Sequence, residues 1–198
     1  MFKKIINNPS IFFLLGGNLY CIWYYVNHPE DFATVVWIYW VQSIIIGLFN
    51  FFDLLTIKKY DASNFKMNDQ PLQPGNKGCT AYFFFLHFGF FHVAYAFFLL
   101  MDVGINNVSK KMFLLGLAVF LAESIFNFMR QKQLEKSVTF NIGTLFFLPY
   151  LRIIPMHLMI LLPAFFGWKP SLLFLNLKMG ADILSYIFYR SLLSKRKV

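Results

Sequence analysis

A few titratable side chains interrupt the apolar stretches of this sequence, in which 58% of the 198 residues are hydrophobic and only 14% are charged. His87, His92 and His157 each lie inside such a stretch. Because neutral imidazole is a common ligand of zinc, copper and haem iron, the three histidines are predicted metal ligands, with zinc or haem as the cofactor. Lys178 and Asp182 are spaced i, i+4, so on a helix they share one face and can neutralise each other. We expect these five residues to form a catalytic or binding cluster, although the Lys178–Asp182 pair also suits a purely structural role.

Other polar residues occupy the middle portions of further apolar stretches and are predicted to support this cluster. Asn18 and Gln42 have side chains that often tie two membrane helices together by hydrogen bonding. Tyr39 shares a helix face with Gln42 at i, i+3 spacing, so it can reach the same polar interior. Glu123 lies one turn before Asn127, in either a structural or a functional network.

Arg152, in the sequence PYLRIIPMH, has two interpretations that depend on where its apolar segment begins. If the segment begins near 144, Arg152 lies in its interior, five positions before His157. If it begins at Pro149, Arg152 lies near the cytoplasmic mouth, where its side chain can reach the interface or hold a lipid phosphate. The sequence favours the interfacial position.

Six apolar segments account for most of the chain, and each is close to the ~20 residues that a helix needs to cross a membrane. They are too long for strands, and they lack the alternation of a transmembrane barrel. We therefore predict an all-α, polytopic transmembrane bundle that forms a single domain over 1–198. The predicted spans are 9–26, 32–56, 79–101, 112–129, 144–166 and 170–193.

The distribution of basic residues predicts the orientation of this bundle. Most of the 18 lysines and arginines lie in the connections and tails on one side, which places both termini and the long loop 57–78 in the cytoplasm. This loop is rich in proline and glycine, and we expect it to have no fold of its own. The net charge of +9 is therefore topological. It favours anionic lipids at the cytoplasmic face as partners and gives no reason to expect nucleic acid.

No catalytic motif of a soluble enzyme is present. The sequence contains no glycine-rich phosphate loop, no paired CxxC, no GxSxG and no HExxH. Architecture and a buried polar site can therefore be predicted, whereas a substrate cannot.

Four short motifs resemble a family of small prokaryotic integral membrane proteins of unknown function: YWVQSIIIGLFN, LHFGFFHV, RIIPMH and KMGAD. In that family an acidic residue commonly follows the YW pair, at the position of Gln42 here, so this chain lacks a carboxylate there. The resemblance implies a multi-pass protein of the bacterial inner membrane. It also implies that the matching positions of interest are His87, His92, Arg152, His157, Lys178 and Asp182.

Three classes of function remain open. The first is an intramembrane enzyme or redox protein that uses the histidines to bind zinc or haem. The second is a proton-coupled transporter or proton relay, in which the ionisable residues exchange protons along a polar path. The third is a structural or assembly partner in a membrane complex, whose polar core fixes the packing of the helices.

Overall fold

Six α-helices dominate the computed structural model, which describes residues 9–62, 65–67, 70–72, 74–166 and 172–194. Each helix overlaps one of the predicted apolar segments, and the all-α class is confirmed. The helices are α1 (Pro9–Asn27), α2 (Phe32–Thr56), α3 (Lys77–Phe98), α4 (Lys110–Leu134), α5 (Ile142–Phe166) and α6 (Leu172–Ser194).

Three helical stretches of the described chain are long and apolar enough to cross a membrane: Pro29–Thr56, Lys77–Val103 and Lys110–Leu134. The stretch Ile142–Leu158 is also apolar but shorter. This finding covers three of the six predicted spans. The other three, and the orientation of the termini, stay predictions.

Five of the helices close a ring, and the sixth packs outside it. Helix α2 contacts α4 and α5, α4 contacts α1, and α1 contacts α6, which in turn packs along α5. Helix α3 packs mainly on the outer side of α2. Small residues allow the close approaches: the Phe120 ring lies over Gly17, and Ile38 lies over Gly116.

The start of α5 answers the question of where the fifth apolar segment begins. Asn141 precedes the helix, and its side-chain oxygen accepts a hydrogen bond of 2.9 Å from the backbone N–H of Thr144. This is the bonding pattern of a helix N-cap. Helix α5 therefore begins at Ile142, and Pro149 and Pro155 lie inside it.

The connection from α2 to α3 is more structured than the sequence suggests. Its residues Tyr60–Asp61 (β1) pair in parallel with Phe140–Asn141 (β4), directly before α5, and Lys66–Met67 (β2) pairs with Gln70–Pro71 (β3). The ring of Phe65 lies 5.3 Å from that of Phe146. One two-residue ladder and one aromatic contact thus attach the described part of the loop to the start of α5, and a second two-residue ladder lies within the loop.

Candidate functional site

A buried carboxylate lies at the centre of the helix ring. Asp182 on α6 is 0% exposed, and the ammonium of Lys178, one turn earlier, donates to both of its oxygens at 2.8 Å. The Nε of Arg152, on α5, donates to Oδ1 at 3.0 Å. Arg152 is only 14% exposed and pairs with this interior carboxylate, so it is an interior residue and the interfacial interpretation is wrong.

Two amides from other helices complete the surroundings of Asp182. Asn18 on α1 donates to Oδ2 at 3.1 Å, and Gln42 on α2 donates to the same oxygen at 3.4 Å. Burial of an unpaired charge is costly, whereas a carboxylate that accepts several hydrogen bonds is compensated. Tyr39 belongs to the same environment, since the Lys178 ammonium lies 5.3 Å from the centre of its ring.

Arg152 connects Asp182 to a second buried carboxylate, Glu123 on α4. Its Nη2 lies 3.5 Å from Oε1 of Glu123, and this same oxygen accepts a shorter bond, 2.9 Å, from the amide of Asn127. The other oxygen, Oε2, is buried and has no hydrogen-bond partner among the described residues. We refer to Glu123, Arg152, Asp182 and Lys178 as the charge network. With two positive and two negative side chains, the charge network has no net charge when all four are ionised.

A cavity of about 120 Å³, lined by both apolar and polar side chains, extends from the charge network to the helix ends that carry most of the basic residues. Glu123 and Arg152 lie at its inner end, and Asp53 and Arg130 line it near the ends of α2 and α4. At roughly 30 Å³ for each water molecule, it has room for about four. Its further polar lining residues are Asn50, Ser124, Asn127, Gln131 and Ser185.

An ion-paired lysine bridges α2 and α4 beside the outer end of this cavity. The Lys132 ammonium lies 3.1 Å from Oδ1 of Asp53 and 2.7 Å from Oε1 of Glu135. It also lies 5.2 Å from the centre of the Phe128 ring. Asp53 and Phe128 both line the cavity, so this bridge joins α2 and α4 beside its outer end.

Sequence reasoning missed several residues that line the cavity, although their spacing contained a signal. Glu123, Asn127 and Gln131 recur every four residues, and Asn50 and Asp53 are three apart. Each set therefore lies on one helix face. Of these residues, sequence reasoning singled out Glu123 and Asn127 but not Asn50, Asp53 and Gln131, which lie nearer the ends of their helices.

The three histidines do not converge on one another. His87 is exposed, with Nδ1 2.8 Å from the hydroxyl of Tyr150. His157 places Nδ1 2.8 Å from the carbonyl of Ile153, one turn earlier in its own helix. His92 lies between α3 and α2, with Nε2 2.7 Å from the hydroxyl of Ser43.

This arrangement does not fit the metal site or haem site predicted from the histidines. Within the described chain, no group of three or more His, Cys, Asp or Glu side chains is placed to hold a metal ion. The charge network recruits none of the histidines either. Of the five residues predicted to form one cluster, the structure joins Lys178 and Asp182 and leaves the histidines apart.

A family model described as a family of unknown function (DUF6498) matches residues 2–189. The chain belongs to this family. The match covers nearly the whole DUF6498 chain and confirms the resemblance to a family of unknown function. Neither the curated proteins nor the solved structures contain a match to it. The function of this DUF6498 member must therefore be argued from its own geometry.

Proposed function

We propose that this chain is an integral protein of the bacterial inner membrane with six spans and both termini in the cytoplasm. The basic residues support this orientation, because most of them lie at the end of the helix ring where the cavity has its outer end. At this face they would bind the head groups of anionic lipids. Between the second and fifth helices, the basic residues at this cytoplasmic face are Lys58, Lys59, Lys66, Lys77, Arg130, Lys132 and Lys136.

We further propose that the chain is a proton relay or a proton-coupled transporter in which Glu123 exchanges protons with the cavity. The observation that carries this proposal is the unpartnered, buried Oε2 of Glu123 beside a cavity with room for water. Ionisable groups inside a membrane bundle are costly to retain and commonly form proton pathways. Asp182 is less suited to this role, because both of its oxygens accept bonds from charged or amide donors.

The side of the charge network that faces away from the cavity is closed by buried side chains, which supports access of water and protons from the cavity end only. About one turn from Asn18 and Gln42, the buried side chains of Cys21, Tyr39 and Phe120 belong to one cluster, and the rings of Tyr39 and Phe120 lie 6.2 Å apart. An apolar and aromatic seal of this kind suits a transporter held in one state better than an open channel. The metal-dependent enzyme has less support, since it requires histidines that lie apart.

Proton exchange at Glu123 can be measured by infrared spectroscopy of the full chain in detergent during a pH titration. The charged and titratable groups around it are Arg152, Asp182, Lys178, Asp53 and Arg130. We expect a band of a protonated carboxylic acid that changes with pH and is lost in Glu123→Gln. The matched control is Asp102→Asn, at an exposed position, which should keep the band. Persistence of the band in a folded Glu123→Gln variant would contradict the proposal.

A further inference from the structure

The two carboxylate oxygens of Glu123 have unequal surroundings. Oε1 accepts a hydrogen bond of 2.9 Å from the amide of Asn127 and lies 3.5 Å from Nη2 of Arg152. Oε2 is buried and has no hydrogen-bond partner among the described residues. Because the side chain is buried, bulk water does not make the two oxygens equivalent. The place where a proton is added to Glu123 therefore depends on these neighbours.

Both neighbours of Oε1 are hydrogen-bond donors. An ionised carboxylate can only accept, so the amide of Asn127 presents its NH2 group to Oε1, and the guanidinium of Arg152 has no acceptor at all. A hydrogen on Oε1 would face these donors and displace a bond that the oxygen already accepts. A hydrogen on Oε2 displaces no bond. We therefore expect protonated Glu123 to carry its hydrogen on Oε2, while Oε1 remains a carbonyl oxygen that accepts from Asn127.

Asn127 is the stronger of the two donors to Oε1. Hydrogen bonds between N–H groups and oxygen mostly have lengths of about 2.7–3.2 Å, so the contact from Asn127 lies within this range and the contact from Arg152 lies beyond it. Arg152 is also held by Asp182, to which its Nε donates at 3.0 Å. It cannot approach Glu123 without disturbing that bond. Removal of the Asn127 amide would thus leave Oε1 without a donor at normal hydrogen-bond distance.

Local helix geometry holds Asn127 against Glu123. The two residues are four positions apart on α4, so they share one helix face, and both line the cavity. Side-chain pairs at this spacing contribute little to helix stability, so a change at Asn127 should alter Glu123 without unfolding the bundle. Given the proton exchange proposed for Glu123, we propose that Asn127 is a positioning residue that confines the exchanged proton to Oε2.

The test is infrared spectroscopy of the full chain in detergent, with the carbonyl stretch of protonated Glu123 as the readout. A hydrogen bond to a carbonyl oxygen weakens the C=O bond and lowers its stretching frequency. In Asn127→Leu, Oε1 loses its amide donor, so we expect the Glu123 band to shift to higher wavenumber. Asn127→Met removes the same donor with an unbranched side chain and should give the same shift.

Two further variants separate the amide donor from a general effect of the substitution. Asn127→Gln keeps an amide at this position, so its Glu123 band should stay close to that of the unmodified chain. Asn176→Leu removes an amide from an exposed position of α6, where it donates to the backbone carbonyl of Leu172 at 2.8 Å. This variant should leave the Glu123 band unchanged. Circular dichroism checks that every variant keeps its helix content.

The outcomes distinguish the role of Asn127 from the proton exchange itself. If Oε1 carried the hydrogen, the band would not move in a folded Asn127→Leu variant. That result, or equal shifts in Asn127→Leu and Asn127→Gln, would overturn the role of Asn127 and leave proton exchange at Glu123 intact. Absence of any band that depends on Glu123 in the unmodified chain would overturn the proton exchange and, with it, the role of Asn127.

Discussion

Asp182 is shared by two cations, so removing different members of the charge network should have unequal effects. Asp182→Asn leaves Lys178 without its carboxylate and Arg152 with only the longer contact to Glu123, and breaking a buried pair costs about 3–5 kcal/mol. Lys178→Met leaves Asp182 paired with Arg152, so we expect a smaller loss in the free energy of unfolding. The Lys178→Met/Asp182→Asn double variant should lose less than the sum of the two. Denaturant unfolding in detergent measures all three, and strictly additive losses would show that the two residues are not coupled.

Residue types and their depth along each apolar segment predicted most members of the charge network. They did not predict which residues of different helices pair with each other. A helix rises 1.5 Å per residue, so sequence position gives the depth of Glu123, whereas the depth of Arg152 also depends on where α5 begins. Whether the two face each other depends on the rotation of α4 and α5 about their axes, which neighbouring helices determine. The ion pair between α4 and α5 was therefore beyond sequence reasoning, whereas the Lys178–Asp182 pair follows from local helix geometry.

Close packing of α1 against α4 depends on the absence of a side chain at Gly17. A Cβ there would lie 2.6 Å from Cε1 of the buried Phe120 ring, whereas a Cβ at the neighbouring Gly16 has no such neighbour within 4 Å. Overpacking of this kind typically costs about 1–3 kcal/mol. We expect Gly17→Ala to lower the thermal midpoint in detergent and Gly16→Ala to leave it nearly unchanged. Because both changes replace a helical glycine by alanine, equal effects would contradict the packing argument.

The six helices could be predicted because long apolar segments separated by proline, glycine and charge are unambiguous. The way in which the helices pack against one another could not be predicted. Helix α3 is apolar on nearly every face, with exposed Phe83, Leu86 and Phe90, so no stripe in its sequence indicates which side packs inward. For this reason the sequence did not show that His87 and His92, predicted to enter a common interior, lie on a helix outside the ring, where they contact different partners.

The proposed orientation of the whole molecule can be tested by labelling single cysteines from one side of the membrane. In a Cys21→Ser/Cys79→Ser background, Asn76→Cys should react from the cytoplasmic side and Asn107→Cys from the opposite side. Both positions are exposed, and they lie at opposite ends of α3. Labelling of both positions from the same side would reject the six-span topology.

The balanced charges of the network have a consequence for how the proposed transporter would respond to membrane potential. A transmembrane voltage does work on net charge, about 2.3 kcal/mol per 100 mV for one elementary charge moved across the whole membrane. Two cations and two anions that move together carry no net charge, so the membrane potential does no net work on them. A proton added to Glu123 gives the cluster one net positive charge, and displacement of the cluster along the membrane normal then becomes sensitive to voltage.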